Sequence, residues 1–537
     1  MKRIYIIILS AISILLFTTG CEDFLDKKDP TATTFEEFFN DEEDIRRVVY
    51  SSYLDCFTSG SNRTNAFYMQ EGRSDNAYSR LDGDNHQRIA NGNYNSTTAL
   101  FLSYYEMHMK NIGRLNTFIA KIDFPYVEDE SIRTKYKGIL EGLRIWHYFI
   151  VTTRWGDVPF ILEPVDLENS KKPTTPQKVI LDSLFTMAED VAGKLQLEEY
   201  TSNKYMFNRN SLKALTMRFA MIHGRYELAA RLAKEIMDSN QFELYPNYKD
   251  LFQYKGCSSN KEFIIHMDKD CYGTNNIFRE LGPHFRTGDG ESNLVPLKSL
   301  VDAYWTLQGN PIDACTLKHT KKEYELNPKL NRDPRFEASI MGNGDDFYGE
   351  TINIYDEKSP MFHENERASK SGYWFKKYVS EDDAFHGGGT STLECGILRY
   401  AEVLLTYAEA KIMLNDIDDL AKDCINQIRK RAGLDMNEAD VTLPKYDAYK
   451  QEQWVELIRN ERRIELAGEG VRYDDILRWG IADQVLNEPA MGHTRKIGEE
   501  LVSLKIEDRT FQPENKLWPF HENTLRVEPQ LKQNPGY

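Results

Sequence analysis

The chain has 537 residues, with 84 acidic against 67 basic side chains and a formal charge of −17. Such an acidic surface repels phosphate backbones and anionic lipid, which argues against nucleic-acid binding. Length permits several domains, but aromatic residues (30 Tyr, 27 Phe, 7 Trp) run throughout with no long low-complexity linker, so one large domain is expected.

Lys2 and Arg3 precede an apolar run from Ile4 to Phe17 that only Ser10 and Ser13 interrupt. The run is too short to span a bilayer and is followed at once by polar chain, so it reads as a secretory signal. Thr18-Thr19-Gly20-Cys21 resembles a bacterial lipobox, with Thr18 where leucine is usual. That implies removal of residues 1–20, lipidation of Cys21 as the first mature residue and membrane anchoring through its acyl chains. Residues 21–34 then form a tether, in which Glu22 and Asp23 resemble the surface-export signal of Bacteroidota lipoproteins. The other cysteines, at 56, 257, 271, 315, 395 and 424, include no C-x-x-C and no metal or redox spacing. Export would permit a disulfide such as Cys257 to Cys271, but small buried hydrophobes are the default reading.

Residues 35–537 are expected to form a single α-helical domain. Phe35 to Leu54 reads as a helix and Tyr94 to Ile122 as a helix pair; residues 58–93, rich in Ser, Asn, Gly, Asp and Arg, read as a long loop of the functional kind. A helical hairpin follows, with Leu212, Leu215, Phe219 and Ile222 on one stripe, a break at Gly224, and Ala229, Leu232, Ala233 and Ile236 on the next. It repeats as Leu398, Ala401, Leu405, Ala408 and Ile412, a break near Asn415, then Ala421, Cys424, Ile425 and Ile428. The shared i, i+3, i+4, i+7 spacing and the alanines at crossing points predict a mainly α, tetratricopeptide-like scaffold of stacked helix pairs. It divides into parts over 35–255 and 395–537. Between them, over 256–394, helical periodicity gives way to Gly, Pro, Asp and aromatic residues; an irregular, ligand-facing region with short strands at most is expected.

Catalytic signatures are missing. His363-Glu364 and His521-Glu522 open like a zinc-protease helix, but Arg367 and Leu525 stand where a second histidine belongs. Asp82-x-Asp84 is too little for a calcium loop, and no metal or cofactor is implied. Glu461 and Glu465 fall inside the apolar stripe of Trp454, Leu457, Ile458 and Ile464, so two carboxylates face the core. They could be the acid and base of a glycosidase. Yet an i, i+4 pair on one helix cannot flank a sugar ring, and arginines at 459, 462, 463, 472 and 478 suit a buried ion-pair network instead.

The stretch Ile458-Arg459-Asn460-Glu461-Arg462-Arg463-Ile464-Glu465-Leu466-Ala467-Gly468-Glu469-Gly470-Val471-Arg472-Tyr473-Asp474-Asp475-Ile476-Leu477-Arg478-Trp479-Gly480 resembles the hallmark of the SusD/RagB family. Arg154-Trp155-Gly156-Asp157-Val158-Pro159-Phe160, Arg399-Tyr400-Ala401-Glu402 with Tyr407-Ala408-Glu409-Ala410, Asp333-Pro334-Arg335 and the terminal Leu531 to Tyr537 are similar to further family segments. The resemblance implies an outer-membrane lipoprotein on the extracellular side, seated over a SusC-like TonB-dependent transporter. Such a protein captures oligosaccharides, or peptides in RagB-like members, without cleaving them. The hallmark residues are scaffold, and ligand contacts vary between members.

Sugar binding needs aromatic faces and short polar or guanidinium groups held on loops. The candidate ligand contacts are therefore Tyr68, Arg73, Asp75, Asn76, Tyr78 and Arg80, then Phe285 and Arg286 beside His284, and Phe347 and Tyr348. Trp155, Trp374, Trp479 and Trp518 read as core, and Trp305 as helix packing.

Overall fold

The structure, a computed structural model, describes residues 41–57, 67–80, 85–122, 129–197, 207–267, 277–284, 290–314, 319–383, 391–434 and 449–537. The signal, Cys21, the tether, Asp82, Asp84, Cys271, Cys315, Phe285 and Arg286 lie outside these residues. Among the described residues no helix is long and apolar enough to cross a membrane.

The scaffold is α-helical. Helix α1 (Glu42–Phe57) starts with three acids in its first turn, and the Asp41 side chain accepts from the Asp44 amide at 3.0 Å, meeting an otherwise orphan donor. The pair expected over 94–122 is instead the single helix α2 (Ala99–Lys121), because the lone Gly113 does not interrupt an apolar stripe that continues past it. Helices α3 (Glu130–Trp155) and α4 (Gln177–Lys194) follow. The two predicted hairpins are α5 (Arg209–Ile222) with α6 (Tyr226–Asp238), and α7 (Tyr400–Met413) with α8 (Asp419–Arg431). Their breaks fall at Gly224 (φ +67°) and Asn415 (φ +53°), two residue types that tolerate the left-handed turn. Helices α9 (Gln451–Glu465) and α10 (Arg472–Arg478) carry the hallmark segment.

Packing runs in chain order from α2 onto α3, α4, α5, α6 and α7, with α8 and α9 both laid on α7. Ala229 and Ala233 of α6, and Ala401 and Ala408 of α7, are fully buried and let these helices pair closely. The buried side chains form one continuous core.

The loop expected over 58–93 is partly ordered: a 3₁₀ turn (Phe67–Arg73), strand β1 (Ala77–Ser79) and a short helix (Asn85–Asn91). The irregular region also holds more than strands. Beside β2 (Phe263–Met267), β3 (Leu294–Pro296), β4 (Ile340–Gly342) and β5 (Tyr373–Phe375) it contains the helices Ile277–Leu281, Lys298–Ala303, Lys321–Leu326 and Arg335–Ser339. These run for one or two turns, too short for periodicity to reveal. Strand β6 (Cys395–Arg399) returns to α7, and β7 (Ala490–Ile497) and β8 (Glu500–Glu507) form a hairpin. Among the described residues each sheet is a two-stranded antiparallel ribbon: β1 with β3, β2 with β6, β4 with β5, β7 with β8, and the small hairpin that pairs Asp346 and Phe347 with Thr351 and Glu350.

Gly470 ties the hallmark segment to the 3₁₀ turn. Its φ is +73°, a Cβ there would lie 2.0 Å from the Phe67 carbonyl oxygen, and its amide donates to Glu71 Oε2 at 2.9 Å. Gly470→Ala should therefore lower stability by about 1–3 kcal/mol. Urea unfolding checks this, and an unchanged midpoint would refute it.

Candidate functional site

The irregular region and the ordered part of the first loop build one face. Strand β1 sets Tyr78 opposite Val295 of β3. Arg80, one residue beyond β1, donates to the Asn293 side chain at 2.6 Å and to the Glu291 carbonyl at 3.0 Å, while Arg279 donates to the Glu291 carboxylate at 2.6 Å. Strand β3 packs against β5, and the Trp374 indole donates to Ser292 at 2.8 Å. The β7–β8 hairpin joins through the His493 amide, which donates to the Ser371 carbonyl at 2.7 Å. Gln87 and Asn91 donate to Glu507, the last residue of β8, at 3.1 and 3.3 Å.

On this face the half-buried Tyr355 has its hydroxyl 2.8 Å from His493 Nδ1, with the exposed Arg495 guanidinium 4.4 Å from the ring centroid. The His363 ring lies 5.8 Å away, edge to face, and Lys370 Nζ donates to the carbonyls of His363, Glu364 and Asn365 at 2.9–3.2 Å. Burial lowers the His493 pKa to about 4, so its imidazole is neutral at physiological pH. Burial likewise raises the Tyr355 phenol to about 12 despite the opposing Arg495 charge. The result is a neutral aromatic centre with an exposed guanidinium against it, able to stack an apolar face and bond hydroxyls.

The structure redistributes the predicted contacts. Tyr78 and Arg80 are half-buried on this face, whereas Tyr68, Arg73, Asp75 and Asn76 are corrected to interior positions. Arg73 donates to His86 at 3.1 Å and to Gln70 at 3.2 Å and lies over the rings of Trp518 and Tyr104. Asp75 accepts from Arg463 at 2.8 Å and from Arg472 at 2.9 Å. Burial pushes its carboxyl up, but the two guanidiniums outweigh that and hold it well below the usual carboxylate range. Asn76 donates to Glu71 at 2.6 Å and accepts from Arg463 at 2.7 Å. Through Arg463 and Arg472, Asp75 and Asn76 fasten the loop to α9 and α10. Phe347 is also buried, against Phe278, while Tyr348 is 41% exposed at the tip of the Asp346–Thr351 hairpin. Sequence reasoning missed Tyr355, His363, Lys370, His493 and Arg495; Tyr355 and His493 are 138 residues apart, so no local spacing marks them.

Glu461 and Glu465 face the core as expected, 2% and 0% exposed. Glu461 accepts from Arg335 at 2.5 Å and Arg429 at 2.9 Å; Glu465 accepts from Arg399 at 2.7 Å, Arg335 at 3.1 Å and also Arg431. The lattice extends through Glu262, which pairs with Arg399 and Arg431, and Glu469, which pairs with Arg399 and Lys377. Burial favours a protonated Glu465, yet Arg431, Arg399 and Arg335 hold its pKa far below the ordinary range, so it has no proton to donate at neutral pH. The arginines nearest in sequence serve other acids: Arg462 and Arg478 pair with Asp475, Arg463 and Arg472 with Asp75, and Arg459 lies over Trp479.

A family model described as "SusD family" matches residues 261–537. SusD-like protein P38 of Formosa agariphila is 26% identical over 559 residues, covering 100% of this chain and 99% of that protein. Among solved structures, a SusD-like carbohydrate binding protein from Bacteroides fragilis superposes with a TM-score of 0.81 at 24% identity, over 92% of this chain and 100% of that one. Surface glycan-binding protein A from Bacteroides thetaiotaomicron, in complex with laminarihexaose, gives 0.67 at 19% identity, over 92% and 99%.

Proposed function

Because the chain belongs to the SusD family, we propose that it captures oligosaccharides at the cell surface and delivers them, uncleaved, to a SusC-like TonB-dependent outer-membrane transporter. The observation that carries the sugar reading is the face around Tyr355, where a neutral aromatic centre and the exposed Arg495 guanidinium come together, the pairing of stacking surface and donor that a pyranose needs. Two structural neighbours described as a carbohydrate binding protein and as a glycan-binding protein holding laminarihexaose support it. The Arg-bound state of Glu461 and Glu465 speaks against the glycosidase alternative. In the same reading the signal is cleaved before Cys21, lipid on Cys21 anchors the protein outside the outer membrane, residues 21–34 are the tether, and 35–537 act as one capture domain.

Tyr355→Ala and Arg495→Ala are each expected to weaken glycan binding by roughly tenfold, with the thermal midpoint near that of the parent for the exposed Arg495 and lowered modestly for the half-buried Tyr355, which bonds His493. Calorimetry or affinity electrophoresis against a glycan panel measures this. Binding to no carbohydrate would sink the sugar reading, and binding to peptides instead would favour a RagB-like receptor.

A further inference from the structure

Sharing no residue with the Tyr355 face, α2 together with residues 159–171 and 527–530 borders a groove of about 830 Å³. Much of its wall is apolar, with Met109 and Gly113 of α2 facing Ile161 and Val165. Val527 also lines it and is 76% exposed, and Leu167, two residues on from Val165, is 86% exposed. These two are the most exposed large apolar side chains among the described residues. A contiguous apolar patch of this kind marks a surface that something covers.

Two charges in the groove are unmet. The half-buried Glu528 carboxylate and the exposed Lys171 ammonium have no ion-pair partner among the described residues, whereas Glu106 and Lys110, also in the lining, pair with each other at 3.1 Å. Burial and the neighbouring Glu106 raise the Glu528 pKa, the mark of a carboxylate short of a cation. The occupant therefore needs large apolar side chains with charges of both signs beside them. The tether has one such place. Glu22-Asp23-Phe24-Leu25-Asp26-Lys27-Lys28 holds the only large apolar side chains of residues 21–34, with acids on both flanks and lysines next. It can also reach the groove. Asp55, near the end of α1, ion-pairs with Arg114, the chain neighbour of Gly113. Asp41, just before the 16-residue α1, is therefore within about 40 Å of the groove. Leu25 precedes Asp41 by 16 residues, a span of about 50 Å when extended.

We propose that Phe24 and Leu25 of this chain's own tether occupy the groove, with Asp26 beside Lys171 and the two lysines after it beside Glu528. Docking keeps Cys21 within about 14 Å of the groove, so the α2 side of the protein is turned toward the membrane that holds the lipid. The inference rests on the reading that the mature chain starts at Cys21.

The test uses the mature chain, residues 21–537, with Cys21→Ser in place of the lipidated residue. Amide hydrogen exchange over residues 163–171 and 525–530 should be at least fivefold slower than in the same chain carrying Phe24→Ser and Leu25→Ser. Under mild oxidation, Leu25→Cys with Val527→Cys should form a disulfide within one molecule, mapped by mass spectrometry in the monomer fraction. Glu528→Lys should lower its yield several-fold, and adding Lys27→Glu and Lys28→Glu should restore it, a rescue that local unfolding of the groove would not give. Equal exchange in the two chains, or no cross-link in a variant with the parent's thermal midpoint, would overturn the proposal. A cross-link between molecules would overturn it too, by making a second copy the occupant. Failure of the anchor reading looks different: native membranes would then yield no lipid-modified peptide starting at Cys21, with exchange and cross-linking as expected.

Discussion

Glu465→Ala should destabilise the protein by about 3–5 kcal/mol, because it removes one carboxylate that Arg335, Arg399 and Arg431 share and leaves an excess of positive charge in a buried lattice. Glu465→Gln keeps the volume and should still lose most of that amount, which separates charge from packing. Urea unfolding at neutral pH measures both; a loss below about 1 kcal/mol would show that Glu262, Glu461 and Glu469 suffice to hold the arginines. The pH dependence has a defined sign. Glu465, Glu469, Asp75 and Asp475 all have folded pKa values below their ordinary ones, against burial, through their arginine partners and, for Glu469, Lys377 as well. Each therefore stabilises the fold fully above its unfolded pKa of about 4 and progressively less as pH falls through the folded value. The parent should lose stability steeply below about pH 4, and Glu465→Ala should show a shallower acid limb.

Trp155→Ala is expected to cost about 3–5 kcal/mol for a different reason, the loss of a fully buried ring that joins two distant parts of the chain. Its indole donates to the Pro519 carbonyl at 2.9 Å, and its ring meets Trp518 and Tyr105 at 5.3 Å each. The seam continues through the Trp518 amide, which donates to the Arg154 carbonyl at 2.7 Å, and through Asn534, whose amide donates to the carbonyls of Trp155 and Trp518. Limited proteolysis should cut the variant after residue 510 at concentrations that spare the parent. An intact C-terminus at equal protease, with an unchanged unfolding midpoint, would refute the assignment.

The helical scaffold was legible because its signal is local: Leu212 to Ile236 and Ala401 to Ile428 carry the stripe, the break and the alanines within single hairpins. The inward direction of Glu461 and Glu465 was legible for the same reason, since helical phase fixes it. Their partners were not. Arg335 and Arg399 come from elements more than 60 residues away, and spacing along α9 points to the wrong arginines. The first loop shows a further limit. Arg73, Asp75 and Asn76 have the composition of a sugar site, and a buried network calls for the same side chains; only the positions of Arg463, Arg472 and His86 decide between them. Tyr355, His493 and Arg495 form the opposite case, an arrangement that exists only because β5 and the β7–β8 hairpin are brought together by the fold.

The clasp between Asp75 and Arg472 spans 397 residues, and the one between Trp155 and Pro519 spans 364. Such contacts give the chain a high contact order, and loop closure over these lengths must precede the reward of making them. A polypeptide emerging N-terminus first therefore carries Asp75 without its guanidiniums and Trp155 without its lid until the last turns of the chain are free. Completion of the native state waits on the C-terminus, and until then the segments these clasps close over stay open.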